Sequence, residues 1–219
     1  MTTNEVRPFR PADRAAIEDI GFRAGFMGES AEAFWADRPS SASIWLAPYL
    51  EHEPESTFVA IQGGTVVGYL TGCADTARFE GPDAIMTREI ARQKLLFRRG
   101  VAGFLWRAIA DAIVDKWRGL PMVRGELHDP RWPSHLHVNL LAEARGSGLG
   151  RALMEVWFAR LRALGSPGCH LGVIAENHRA LGFFTAMGFT PHGEPTLIQG
   201  MRGRSGERLH QQLMVRAID

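Results

Sequence analysis

The chain has 219 residues, 45% of them hydrophobic and 22% charged, with 25 basic and 24 acidic side chains and a net charge of +1. That suits one compact unit whose core needs no covalent staples, and it excludes a polybasic surface for nucleic acid or membrane. Cys73 and Cys169 are the only cysteines, too few for a disulfide framework or a cysteine metal cluster. The first residues lack the basic and apolar blocks of a signal peptide, so a reducing cytoplasm is the expected setting.

Glu5 to Arg10 reads as a first strand stopped by Pro11, and Ala12-Asp13 then caps a helix to about Arg23 with Ile17 and Ile20 on one face. Gly25 to Ser43 reads as loop and short helix, and Ile44 to Leu50 is an apolar stretch that places Tyr49 in a loop. Ser56 to Ile61 and Thr65 to Thr71 are β-rich runs joined by Gly63-Gly64, a strong hairpin signal. Ala84 to Arg98 and Val101 to Trp117 carry helical patterns split near Gly100. Gly119 to Pro133 is a loop. His135 to Leu141 is an apolar strand, and Arg145-Gly146-Ser147-Gly148-Leu149-Gly150-Arg151 opens a helix that runs to Leu164. Cys169 to Ile174 is a buried strand, and Asn177 caps a helix that ends at Gly188. Phe189 starts another strand, and Gln211 to Val215 reads as the last.

The glycine loop carries the most chemistry. The first N–H groups of a helix lack internal partners and sit at the positive end of the helix dipole. Glycines let a phosphate approach such amides closely. A dinucleotide-binding reading would need an acidic residue about 20 positions on, and a P-loop would need Gly-Lys-Ser/Thr. Neither is present. Arg145-x-x-Gly148-x-Gly150 fits a third pattern.

With that motif the sequence resembles the GNAT superfamily of acyl-CoA N-acyltransferases, from Val6 to about Val215. Asn177, Ala180, Phe183-Phe184 and Gly188-Phe189 match a second block of the family. A narrower likeness, in Ala47-Pro48-Tyr49, Glu53-Pro54-Glu55, Gly68-Tyr69-Leu70-x-Gly72, Asp75-Thr76 and His135-Leu136-His137, is to the acetyltransferase-like C-terminal domain of O-GlcNAcases and its free-standing bacterial relatives. The resemblance implies an α/β (α+β type) GNAT fold, a mixed central sheet of about seven strands with helices on both faces and splayed fourth and fifth strands. Residues 1–219 would form one domain with a helical insertion at about 78–133, which would wall the acceptor side or mediate a homodimer contact.

The resemblance also implies acetyl-CoA as co-substrate, with no metal. Its diphosphate would rest on Arg145, Gly146, Ser147, Gly148, Leu149, Gly150 and Arg151. Its pantetheine arm would pair with the backbone of Leu140 and Leu141, where an amide near Leu141 would polarise the thioester carbonyl. Asn177 would touch the arm, and Phe183 and Phe184 would pack near the thiol or simply fill the core. The implied reaction is transfer of an acetyl group to a primary amine, on a small molecule or a peptide, by direct attack. The family commonly places a Tyr proton donor seven residues after the Asn; here that position is Phe184. This motivates an alternative, a non-catalytic acetyl-CoA-binding module acting as sensor or scaffold.

Candidates for proton transfer are few. His135, His137 and Asn139 share one face of their strand, and a histidine is a suitable base at neutral pH. His137, Asn139 and Tyr69 are the catalytic candidates, against the blander reading of satisfied structural groups. Glu126, His128 and Asp129 read as a solvated loop, Asp75 as an acceptor-site residue or a turn cap, and His170 and His178 as surface residues. Both cysteines read as buried small apolar residues.

Overall fold

The structure, a computed structural model, describes residues 3–123 and 125–219. Seven strands form one sheet in the order β1-β2-β3-β4-β5-β7-β6. They are β1 (Asn4–Pro8), β2 (Thr57–Gln62), β3 (Thr65–Cys73), β4 (Ser134–Leu140), β5 (Gly168–Ile174), β6 (Thr190–Arg202) and β7 (Arg208–Ala217). β2 and β3 form the hairpin that Gly63-Gly64 predicts, and both glycines have positive φ, 57° and 82°. All neighbours are antiparallel except β4 and β5. That parallel pair is in register only at Ser134–Cys169 and His135–His170. Beyond those residues the two strands part, and the sheet has a gap in its middle.

The helices are α1 (Arg14–Ala24), α2 (Arg38–Trp45), α3 (Ala47–His52), α4 (Pro82–Gln93), α5 (Ala102–Arg118), α6 (Leu149–Leu164) and α7 (His178–Ala186). Tyr49 therefore lies on a helix, α3, and not in a loop. Pro48 in the first turn fits it there, because a proline at that position gives up no internal hydrogen bond. The helix expected from Ala84 to Arg98 ends earlier, where Lys94 turns left-handed at φ 53°.

One sheet face packs Leu70, Leu136, Leu171 and Met214 under Leu153, Trp157 and Leu161 of α6 and Phe184 of α7. The rings of Trp157 come within 2.3 Å of where a Cβ on Gly72 would stand, so only glycine lets α6 lie this close to β3. The other face packs Val59 and Tyr69 under Ile17 and Ile20 of α1 and Leu46 and Leu50 around α3. A third cluster, Trp35, Ile44, Ile85, Leu95, Val101 and Leu105, holds α2, α4 and the start of α5 together. Phe79, in the stretch before α4, stacks on Tyr49, and α5 lies against β6. The segment 78–133 thus reaches both β4, where Phe79 meets His135, and β6 at the edge of the sheet.

Candidate active site

The gap between β4 and β5 opens into a cavity of about 580 Å³. Leu136 to Leu140 line one side of it and Leu171 to Ile174 the other. Its walls continue through Asn177, Arg179, Ala180, Phe183 and Phe184 of the α7 region to Arg145, Gly146, Gly148, Gly150 and Arg151. The alternation of an antiparallel ladder decides which β4 amides face this gap. The Leu141 N–H donates to the Val67 carbonyl at 2.9 Å, toward β3. By the same alternation Asn139 and His137 face β3, and the N–H and C=O groups of Val138 and Leu140 face the gap, beyond the last β4–β5 pair at His135–His170. Leu141 is thus removed from the arm-binding and carbonyl-polarising roles expected of it, and its side chain is 6% exposed within the α1 cluster.

At one end of the cavity the chain builds a nest of amides, of which that of Leu149 already donates to Ser147 Oγ at 3.4 Å. Gly146 and Gly148 have φ of 76° and 84°, a conformation that costs other residues about 1–2 kcal/mol. Gly148 is the N-cap of α6, and Ala152 is the first residue there whose amide finds a helical acceptor, Gly148 O at 3.0 Å. Ser147 Oγ donates to the Ala144 carbonyl, and the Ser147 carbonyl accepts from Asn4 Nδ2 at 3.1 Å, which pins the loop to β1. Leu149 is 2% exposed, so its side chain is core and only its backbone belongs to the loop.

Two arginines meet beside this nest. Arg145 donates to the Gly28 carbonyl and Arg179 to the Met27 carbonyl at 3.1 Å. Met27 and Gly28, both at positive φ, form a tight turn closed by paired bonds between Phe26 and Glu29. Burial and the neighbouring Arg179 charge both depress the Arg145 pKa below its ordinary value. An anion here would relieve that repulsion.

At the far end lies a cluster that five separate segments assemble. Tyr49 Oη is 2.9 Å from His135 Nε2 and 2.9 Å from His137 Nε2. His135 Nδ1 is 2.7 Å from Thr76 Oγ1. Glu126 meets His170 Nε2 at 3.2 Å, and His170 Nδ1 is 2.8 Å from the Trp132 carbonyl. Burial pushes the His135 pKa down to about 3, and burial lowers that of His137 as well, so both rings are neutral at pH 7. Burial disfavours the Glu126 carboxylate, but the His170 bond and neighbouring imidazoles hold its pKa below the usual range. Donor atoms of Glu126, His135 and His137 lie within 4.8 Å of one another. The Tyr49 hydroxyl already engages both Nε2 atoms, so the cluster is closed by its own hydrogen bonds.

Several expectations are corrected here. Glu126 is not in a solvated loop but faces the histidines, while Asp129 pairs with the exposed Arg131. His170 is fully buried and His178 is exposed. Asp75 caps a turn by accepting from the Ala77 amide. Tyr69 is 5% exposed, sits in the α1 cluster and accepts a hydrogen bond from Asn139 at 2.9 Å. It does not border the cavity, so it has no path to a departing thiolate. Asn139 and His137 do border it. Phe183 and Phe184 line the cavity and also pack at the edge of the core. Both cysteines are buried.

A family model for the acetyltransferase (GNAT) family matches residues 120–189. That span holds β4, the amide nest, α6, β5 and α7. The fold is that of the GNAT acetyltransferases. Among solved structures, SsHAT is 27% identical with a TM-score of 0.64, over 99% of each chain. The putative acetyltransferase yncA from Salmonella typhimurium, solved with its cofactor acetyl-CoA, is 19% identical, TM-score 0.59, over 99% of this chain and 94% of that one. The GNAT superfamily phosphinothricin acetyltransferase from Sinorhizobium meliloti, in complex with acetyl-CoA, is 20% identical, TM-score 0.57, over 99% and 89%. No helix among the described residues is long and apolar enough to cross a membrane.

Proposed function

We propose that the protein is an acetyl-CoA-dependent N-acetyltransferase that acetylates a primary amine by direct attack. The observation that carries this reading is the continuity of the cavity, from the amide nest at α6, along the open edge of β4, to His137. The diphosphate would lie on the backbone amides between Gly146 and Arg151, between Arg145 and Arg179. The pantetheine arm would use the unpaired edge of Val138 and Leu140 as an added strand. The fold shared with acetyl-CoA-bound structures supports this placement.

A lysine-like amine enters charged, and removing its proton at pH 7 costs about 4–5 kcal/mol. His137 is the base in this account. In that role its Nε2–H would donate to Tyr49 Oη, the Tyr49 hydroxyl to His135 Nε2 and the His135 Nδ1–H to Thr76 Oγ1, one of the two directions that these contacts allow. That direction would leave a lone pair on His137 Nδ1, an atom that no protein hydrogen bond reaches among the described residues. Asn139 would help orient the acceptor. Phe184 gives no proton to the thiolate, so solvent protonates it.

Some of the residues that resemble the O-GlcNAcase-associated domain, Tyr49, Thr76, His135 and His137, meet in the polar cluster. Tyr49 binds the histidines, and Glu53 accepts from Ser56 Oγ and the Ala74 amide where β3 ends. We assign the chain to that group on this ground. The absence of a tyrosine at Phe184 favours a second reading, an acetyl-CoA sensor or scaffold without turnover.

Thiol release from acetyl-CoA over a panel of primary amines decides between the readings. The enzyme reading requires saturable release, a fall in kcat of ~10²–10⁴ in His137→Ala, and an unchanged Kd for acetyl-CoA. Because burial lowers the His137 pKa, the acid limb of the rate profile should lie below pH 6.5. Tight acetyl-CoA binding with no release above hydrolysis for any amine would establish the module instead.

A further inference from the structure

Beyond its first turn, where Phe104 and Leu105 join the third apolar cluster, helix α5 is built inside out. Its inner side meets β6 and β7 through charge: Asp111 takes two 2.7 Å hydrogen bonds from Arg202, Asp115 pairs with Arg208, and Arg107 donates to the Gly200 carbonyl at 2.8 Å. Its outer side is an uncovered apolar stripe. Trp106, Ile109, Ile113 and Trp117 are 53%, 41%, 65% and 86% exposed, and Phe97, just before the helix, is 81% exposed. A surface helix ordinarily does the reverse.

We propose that this stripe is a homodimer interface, with two copies of α5 packed antiparallel across a two-fold axis that passes between Asp111 and Ala112. Such an axis pairs Trp106 with the second copy's Trp117 and Ile109 with its Val114. It also sets Ala110 against Ile113, a small residue facing a large one. All six positions are exposed in the monomer and none is charged. A two-fold contact demands this self-complementarity, and a foreign partner does not. The end of the second helix then lies over Trp106, whose indole N–H donates to the Leu96 carbonyl, beside Phe97.

Area argues the same way. The three aromatic side chains alone expose on the order of 400 Å², and the aliphatic ones add to it. A lone monomer seldom leaves an apolar patch of that size open. Two such faces bury upward of about 1,000 Å², the level of a specific interface.

Sedimentation velocity at tens of micromolar protein tests the proposal, because interfaces of this size dissociate at micromolar concentrations or below. The wild-type chain should sediment as a dimer. Trp117→Glu and Trp106→Glu should each sediment as a monomer with an unchanged far-UV circular dichroism spectrum. Mixing Trp106→Cys with Trp117→Cys chains under oxidation should give the mixed cross-link in preference to either homo-cross-link. A wild-type monomer overturns the proposal, whether or not it binds vesicles containing phosphatidylserine. So does a dimer that survives both charged substitutions, or cross-linking of Trp117→Cys only to itself.

Discussion

Helices α5 and α6 are nearly the same length, and their sequences are equally amphipathic to the eye. They are used in opposite ways. Trp157 of α6 is fully buried against Gly72, whereas Trp117 of α5 is 86% exposed. The apolar face of α6 joins the main core, and its N-terminus offers free amides to the cavity. The inner face of α5 is held by Asp111 and Asp115 on arginines of the neighbouring strands. Amphipathicity states that a helix has two faces; it does not state which one turns inward. That depends on what the sheet presents, and β6 and β7 present Arg202 and Arg208 where β3 presents a glycine.

The largest effect that can sharpen this contrast is Trp157→Ala. Deleting a buried indole from a packed core should cost about 3–5 kcal/mol, read as a lower midpoint in urea unfolding. Acid should also separate the faces of the sheet. The folded pKa of His135, about 3, lies below its unfolded value near 6.5. The unfolded chain therefore takes up the proton first on acidification. The stabilisation is complete above pH 6.5 and is lost as pH falls from 6.5 toward 3, at about 1.4 kcal/mol per pH unit for this group. Urea titrations across that window should show the slope, and His135→Gln should flatten it.

Gly148→Asn comes next. Asparagine tolerates the left-handed backbone, and a Cβ at Gly148 meets no neighbouring atom, so the fold should survive. The added side chain should crowd the diphosphate and raise the acetyl-CoA Kd at least about tenfold, about 1.4 kcal/mol, by calorimetry. Asp115→Ala should cost about 1–2 kcal/mol, because Arg208 loses its partner but keeps some access to solvent. Trp117→Ala should be the smallest. At concentrations where the chain is monomeric its stability should stay within about 0.5 kcal/mol of wild type. A large loss there would mean that the outer face of α5 folds onto its own chain.

The parts of the molecule that were legible beforehand are those fixed by local chemistry. Gly146 and Gly148 announce a backbone that only glycine adopts easily, Asn177 caps α7 through its side chain to the Ala180 amide, and Gly63-Gly64 turns the hairpin. The polar cluster was not legible. Tyr49, Thr76, Glu126, His135 and His170 come from separate segments, and no spacing along the chain links them. Leu141 shows the limit of alternation within one strand. Whether its amide faces β3 or the gap depends on register with Val67, which a single strand does not reveal. Phe184 is the opposite case: its lack of a proton could be read directly, and among the described residues no tyrosine lines the cavity to replace it, since Tyr49 lies behind His137 and Tyr69 behind Asn139.

A crystal structure of the chain with acetyl-CoA tests the central claim most directly. The account predicts diphosphate oxygens within hydrogen-bond distance of the backbone amides between Gly146 and Arg151, and the arm lying along Val138 and Leu140. A diphosphate seated elsewhere, or an arm that leaves the gap between β4 and β5 empty, would contradict it.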